Sequence, residues 1–75
     1  MEWSKLDYGP LSREEIRRCT DNEDWQKYKK QIKGKPLAVK YELLLAWVSF
    51  KEHTRCAEVQ VTNYVNALKR GGNID

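Results

Sequence analysis

Between Pro36 and His53 the chain carries two apolar rows at helical spacing. Leu37, Tyr41, Leu44, Leu45 and Val48 form one, and Val39, Leu43, Ala46, Trp47 and Phe50 the other. A helix that is apolar on most sides has to be covered on most sides, so the remaining segments are expected to pack around this one. The 75 residues supply a single core, because a domain of this size buries only about 60–65% of its unfolded surface. The expected fold is all-α: one domain over residues 1–75, a small bundle of three to four helices around a central apolar helix, with an arm at 1–11 and a short tail at 71–75.

Local signals divide the rest of the chain. The arm holds Trp3 and Tyr8, expected to be pinned on the core, and ends at Gly9-Pro10. Ser12 can cap a first helix while Glu15 reaches back to it and Leu11 packs on Ile16; that helix runs to about Cys19. Thr20-Asp21-Asn22-Glu23 offers a second cap, followed by Trp25, Tyr28 and Ile32 at helical spacing and a stop at Gly34. Pro36 suits the first turn of the third helix. Thr54 can start a fourth, with Ala57, Val61, Tyr64, Val65 and Leu68 on one face and Gly71-Gly72 as its stop. Glu58-Val59-Gln60-Val61-Thr62 also alternates like a strand, so a short extended piece there stays open, with helix preferred for want of a strand partner. Trp3, Trp25 and Trp47 are evenly spaced, but their flanks do not repeat.

The composition narrows function. Cys19 and Cys56 lie far apart and no signal-peptide pattern precedes them, so free thiols packed as small apolar groups are expected; a disulfide stays open if their helices touch. No CxxC or HxxxH spacing supports a metal site, and no cofactor is expected. The apolar stretch Leu43 to Phe50 is too short to span a bilayer, which points to a soluble chain without a membrane partner. Catalysis needs a positioned acid, base or nucleophile, and a single His53, without GxSxG, HExxH or a phosphate-cradling loop, supplies none; no enzyme and no small-molecule substrate are expected.

Two surfaces are candidates for binding. With its apolar face turned inward, the fourth helix presents Arg55, Val59, Thr62, Asn63, Asn66 and Arg70 outward, next to Lys69. Asn can bond the edge of adenine, Arg can fork onto guanine, Thr or Val can meet a thymine methyl, and Lys69 can hold a phosphate. Two Asn on an exposed helix are also poor choices for helix stability alone. The plainer alternative is a solvated face, and the short His53-Thr54 link leaves little room for the turn of a helix-turn-helix. Lys27, Lys29, Lys30, Lys33 and Lys35, interleaved with Tyr28 near Trp25, make a secondary basic patch able to track a phosphate backbone, or simply the wet side of a core helix.

The segment from Ala57 to Gly72, AEVQVTNYVNALKRGG, resembles the C-terminal end of small uncharacterised proteins of bacteriophages and related mobile elements, and Asp24-Trp25 is similar too. The resemblance covers roughly two-thirds of the chain. It implies a setting, the cytoplasm of a host cell, and brings no activity or site residue with it. Small helical phage proteins commonly dock on nucleic acid or on a host assembly such as RNA polymerase or a defence complex. The expected function is therefore a phage-type regulator, a non-catalytic module binding nucleic acid through the last helix. The alternative is a protein-binding inhibitor or adaptor, with Trp3, Tyr8 or Trp25 as aromatic anchors.

Overall fold

A computed structural model describes residues 4–71. Four helices follow a short 3-10 turn at Ser4–Leu6: α1, Arg13–Thr20; α2, Glu23–Ile32; α3, Leu37–Phe50; and α4, Arg55–Lys69. The fold is the expected all-α bundle. Trp3 and Gly72, to which the sequence assigned a core contact and part of the helix stop, lie outside the described residues.

The boundaries follow the local chemistry. Ser12 accepts from the Glu15 backbone N–H at 3.1 Å, Asn22 from that of Trp25 at 2.9 Å, and Thr54 from that of Ala57 at 3.3 Å, each satisfying a donor that the first helical turn leaves open. The Glu15 carboxylate, expected to reach back to Ser12, meets the Arg55 guanidinium of α4 instead, at 3.0 Å. Gly34 turns the chain at φ +81°, a left-handed conformation that costs glycine little. The link from α3 to α4 is harder on its residues, since Glu52 and His53 both hold φ near +56° without being glycine. Residues 58–62, where an extended alternative was open, are helical.

The hub of the bundle is α4, which corrects the expectation that α3 is central. Helix α4 packs against the 3-10 turn, α1 and α3, while α2 packs on α3. Eight of its 15 residues are buried, against three of 14 in α3. Short side chains explain this: Ala57, Val59, Val61, Thr62, Val65 and Ala67 let neighbours approach on several sides, whereas the bulky rows of α3 need more covering than one small chain provides. Leu44, Trp47 and Val48 of α3 are buried, and Tyr41, Leu43 and Leu45 are half-buried against the core. Leu6, Trp25, Ile32, Leu44, Trp47, Val48, Ala57, Val61, Tyr64 and Val65 form one continuous core. At its centre the Trp25 ring lies 5.5 Å from Trp47 and meets Tyr64 edge-on at 6.0 Å.

Cys19 and Cys56 are joined in a disulfide, so the expectation of free thiols does not hold. Their helices do touch: α1 packs along α4, and the two Cα atoms come to 5.2 Å, within the range a disulfide spans.

A candidate docking face on α3

The α4 surface expected to read nucleic acid is largely enclosed. Thr62 is 3% exposed and its hydroxyl donates to the Leu6 carbonyl at 3.2 Å; Val59 is fully buried. Asn63 and Asn66 are half-buried. Arg55 is exposed, but its guanidinium donates to the Tyr8 carbonyl at 3.2 Å, the Pro10 carbonyl at 3.0 Å and Glu15 at 3.0 Å, which clamps the arm onto the start of α4. Lys69 and Arg70 alone remain open, at the far end of the helix. These residues do not form one outward face, because the 3-10 turn, α1 and α3 surround α4 where solvent was expected.

The basic patch is better preserved. Lys27, Lys30, Lys33 and Lys35 are exposed and Lys29 is half-buried. Lys27 pairs with Glu23 one turn earlier at 3.3 Å, an exposed pair of small energetic weight. Of the proposed aromatic anchors, Trp3 lies outside the described residues, Trp25 is sealed in the core and Tyr8 is half-buried.

What the structure leaves open is part of the second apolar row of α3, Val39, Ala46 and Phe50, together with Leu37 of the first row, while Leu43 is half-buried against the core and Trp47 is buried. Phe50 is 73% exposed, Leu37 48% and Val39 40%. Along the helix Val39, Leu43, Ala46 and Phe50 follow one another at intervals of four, three and four residues, the spacing of a seam between paired helices. Beside the C-terminal half of this row the tilted rings of Tyr28 and Trp47 have their centres 4.7 Å apart, and those of Trp47 and Phe50 lie 6.2 Å apart. A cavity of about 330 Å³ opens among Tyr28, Ala46, Trp47 and Phe50. A second of about 330 Å³ shares Tyr28, Trp47 and Phe50 and is rimmed by Asp24, Lys27, Gln31 and Lys51. Together they make a groove with an aromatic floor and a polar edge.

The groove is fixed from beneath. The Tyr28 hydroxyl donates to the Leu43 carbonyl, tying α2 to α3, and burial raises the Tyr28 phenol above its ordinary pKa, so it stays a neutral donor. The Lys51 ammonium sits 4.8 Å over the Trp47 ring and 5.2 Å over Phe50, and pairs with Asp24 at 3.5 Å. Gln60 of α4 accepts from the Trp47 indole N–H at 2.9 Å and donates to the Cys19 carbonyl, locking the ring from behind.

Sequence reasoning recognised the row but assigned it to the core. The available signal was arithmetic: two full apolar rows on one helix exceed what a chain of this length can cover. Among the described residues no cluster of three or more His, Cys, Asp and Glu could hold a metal ion, and no helix is long and apolar enough to cross a membrane. No protein-family model, no curated protein and no solved structure matches the chain.

Proposed function

We propose that this chain is a non-catalytic docking module that seats an acidic amphipathic helix of a protein partner along the exposed row of α3. The observation that carries the reading is Phe50, a large aromatic side chain 73% exposed at the end of an apolar row and at the mouth of an aromatic groove. Isolated exposed apolar residues are ordinary, but a row at helical spacing beside a concave aromatic floor is the geometry that receives a helix. Charge selects the partner. Lys27 and Lys51 rim the groove, and Lys30, Lys33, Lys35 and Lys40 lie on the same two helices and their link, so carboxylates flanking the incoming apolar stripe are favoured. The phage-like resemblance of residues 57–72 supports a host assembly as the source of that helix.

Three helical peptides test the proposal: one apolar row flanked by Glu, the same row flanked by Lys, and a scrambled Glu version. The Glu-flanked peptide is expected to bind, to shift the NMR signals of Val39, Leu43, Ala46 and Phe50, and to weaken at least about tenfold with Phe50→Ser, as a central aromatic anchor does. Phe50→Ser should change stability by no more than about 0.5 kcal/mol, because the ring is mostly in water. Preference for the Lys-flanked peptide overturns the choice of partner. Two other results overturn the docking of a foreign helix altogether. One is a concentration-dependent dimer abolished by Phe50→Ser. The other is salt-sensitive binding to DNA or RNA that survives Phe50→Ser but is lost with Lys30→Ala and Lys33→Ala.

A further inference from the structure

We infer that Cys56 is a thiol-exchange site: a small thiol of the cysteinyl-peptide class attacks the Cys19–Cys56 disulfide at the Cys56 sulfur and leaves a mixed disulfide there. The bond joins the next-to-last residue of α1 to the second residue of α4. Its two ends differ sharply in access. Cys19 is 2% exposed, whereas Cys56 is half-buried and lines a cavity of about 110 Å³ together with Asn22, Thr54, Ala57, Gln60 and two residues that also line the groove, Trp47 and Lys51. A thiolate displaces a sulfur in line, along the S–S axis from the far side of the atom attacked, so access decides which sulfur reacts. Cys56 is the more accessible of the two. Lys51 is among the residues that line the cavity, which favours a small thiol carrying carboxylates.

Local electrostatics distinguish the two thiols once the bond is open. Cys56 lies in the first turn of α4, behind the Thr54 cap, where unpaired N–H groups favour negative charge on sulfur. Cys19 lies in the last turn of α1, facing the carbonyl end of its helix. Once the bond is open, Cys56 is therefore the reactive partner and Cys19 the inert one.

The chemistry balances without any further reagent. The incoming thiolate forms a bond to the Cys56 sulfur while the bond to Cys19 breaks, and Cys19 departs as a thiolate that takes a proton from water. A second small thiolate then attacks the mixed disulfide, releasing the oxidised dimer of the small thiol and the Cys56 thiolate. Two electrons pass from two small thiols to one protein disulfide. The structural consequence is confined to one side of the bundle. Helix α1 keeps the Arg55–Glu15 pair and the Gln60 contact but loses its covalent tie to α4, while the α2–α3 groove touches neither sulfur.

The test uses the intact, oxidised protein treated with reduced glutathione, quenched by alkylation and mapped by peptide mass spectrometry. The expected result is glutathione on Cys56 in at least about tenfold excess over Cys19. Amide hydrogen exchange should quicken in α1 and stay unchanged in α3. With oxidised glutathione, the single-thiol variant Cys19→Ser should be modified at Cys56 at least about tenfold faster than Cys56→Ser is modified at Cys19. Glutathione placed mainly on Cys19 or evenly on both overturns the inference, as does a chain whose two thiols fail to pair under oxidised glutathione. If either serine variant does not fold, mapping of the wild-type adduct decides by itself.

Discussion

Gln60 is the most informative residue to replace, because a single buried amide closes two hydrogen bonds that nothing else can close. Its Nε2 donates to the Cys19 carbonyl, one of the last four of α1 and therefore without an intrahelical partner, and its Oε1 accepts from the Trp47 indole. The side chain is 3% exposed. Gln60→Leu keeps the volume and the helix propensity but orphans both partners. Each buried orphan costs about 1–3 kcal/mol, partly offset by the apolar gain of leucine, so the expected loss is about 2–4 kcal/mol. A domain of this length holds about 4–11 kcal/mol in all, so the loss should be large, at about 4–8 °C in Tm for each kcal/mol. Urea unfolding of the oxidised protein, followed by tryptophan fluorescence, measures it. Gln26→Leu is the matched control: Gln26 donates to the Thr20 carbonyl from an exposed position and should cost no more than about 0.5 kcal/mol. A double-mutant cycle with Trp47→Phe should show coupling between the pair. If Gln60→Leu unfolds within about 0.5 kcal/mol of the wild type with an unchanged slope, the bridge does not hold the bundle together as argued.

Replacing both cysteines by serine removes a cross-link across a sequence separation of 37 and should cost about 4 kcal/mol by the chain-entropy relation; a shift in the urea midpoint equivalent to less than about 1 kcal/mol would refute it. His53→Gly relieves a left-handed residue in the α3–α4 link and should gain up to about 1 kcal/mol, while His53→Val should lose more than that; a glycine variant that melts lower refutes the strain argument. High pH should weaken the fold through its phenols. Burial raises Tyr28 above 10.0, and burial first, then Glu58 and Tyr41, raise Tyr8, so the folded state holds these protons longer than the unfolded state does. The stability they contribute is full below pH 10.0 and is lost as pH rises through the folded values, which parallel titrations of tyrosinate absorbance and circular dichroism will follow. A urea midpoint that stays unchanged as both phenols ionise would contradict that.

Much of the fold was legible because its stops and starts are local. Ser12, Asn22 and Thr54 cap helices through hydrogen bonds made within three residues, and Gly34 and Gly71 end them, so no knowledge of the rest of the chain was needed. Choosing the central helix is a different problem. Hydropathy ranks α3 above α4, yet Gln60 and Thr62 are buried because Cys19, Trp47 and Leu6, distant in sequence, supply their partners. A helical wheel shows which side chains share a face and says nothing of how many neighbours will cover it. The site was misplaced for the same reason. Arg55 looks like a ligand-reading arginine until the carbonyls of Tyr8 and Pro10 arrive to occupy it, and Phe50 looks like core until no helix arrives to cover it.

Thr62 reaches back across 56 positions to the Leu6 carbonyl, and that single link has a bearing on biogenesis. Of the four described helices α4 is made after the other three, and the 3-10 turn, α1 and α3 all pack on it, so none of those can finish burying its apolar side chains before it. Until α4 follows, α1 lacks its main partner, and α2 and α3 can pack on each other but leave uncovered the sides of Trp25 and Trp47 that meet Tyr64 and Gln60. Maturation must therefore come as one late, concerted collapse, and a nascent chain stalled before Arg55 should be a chaperone client rather than a partly folded protein.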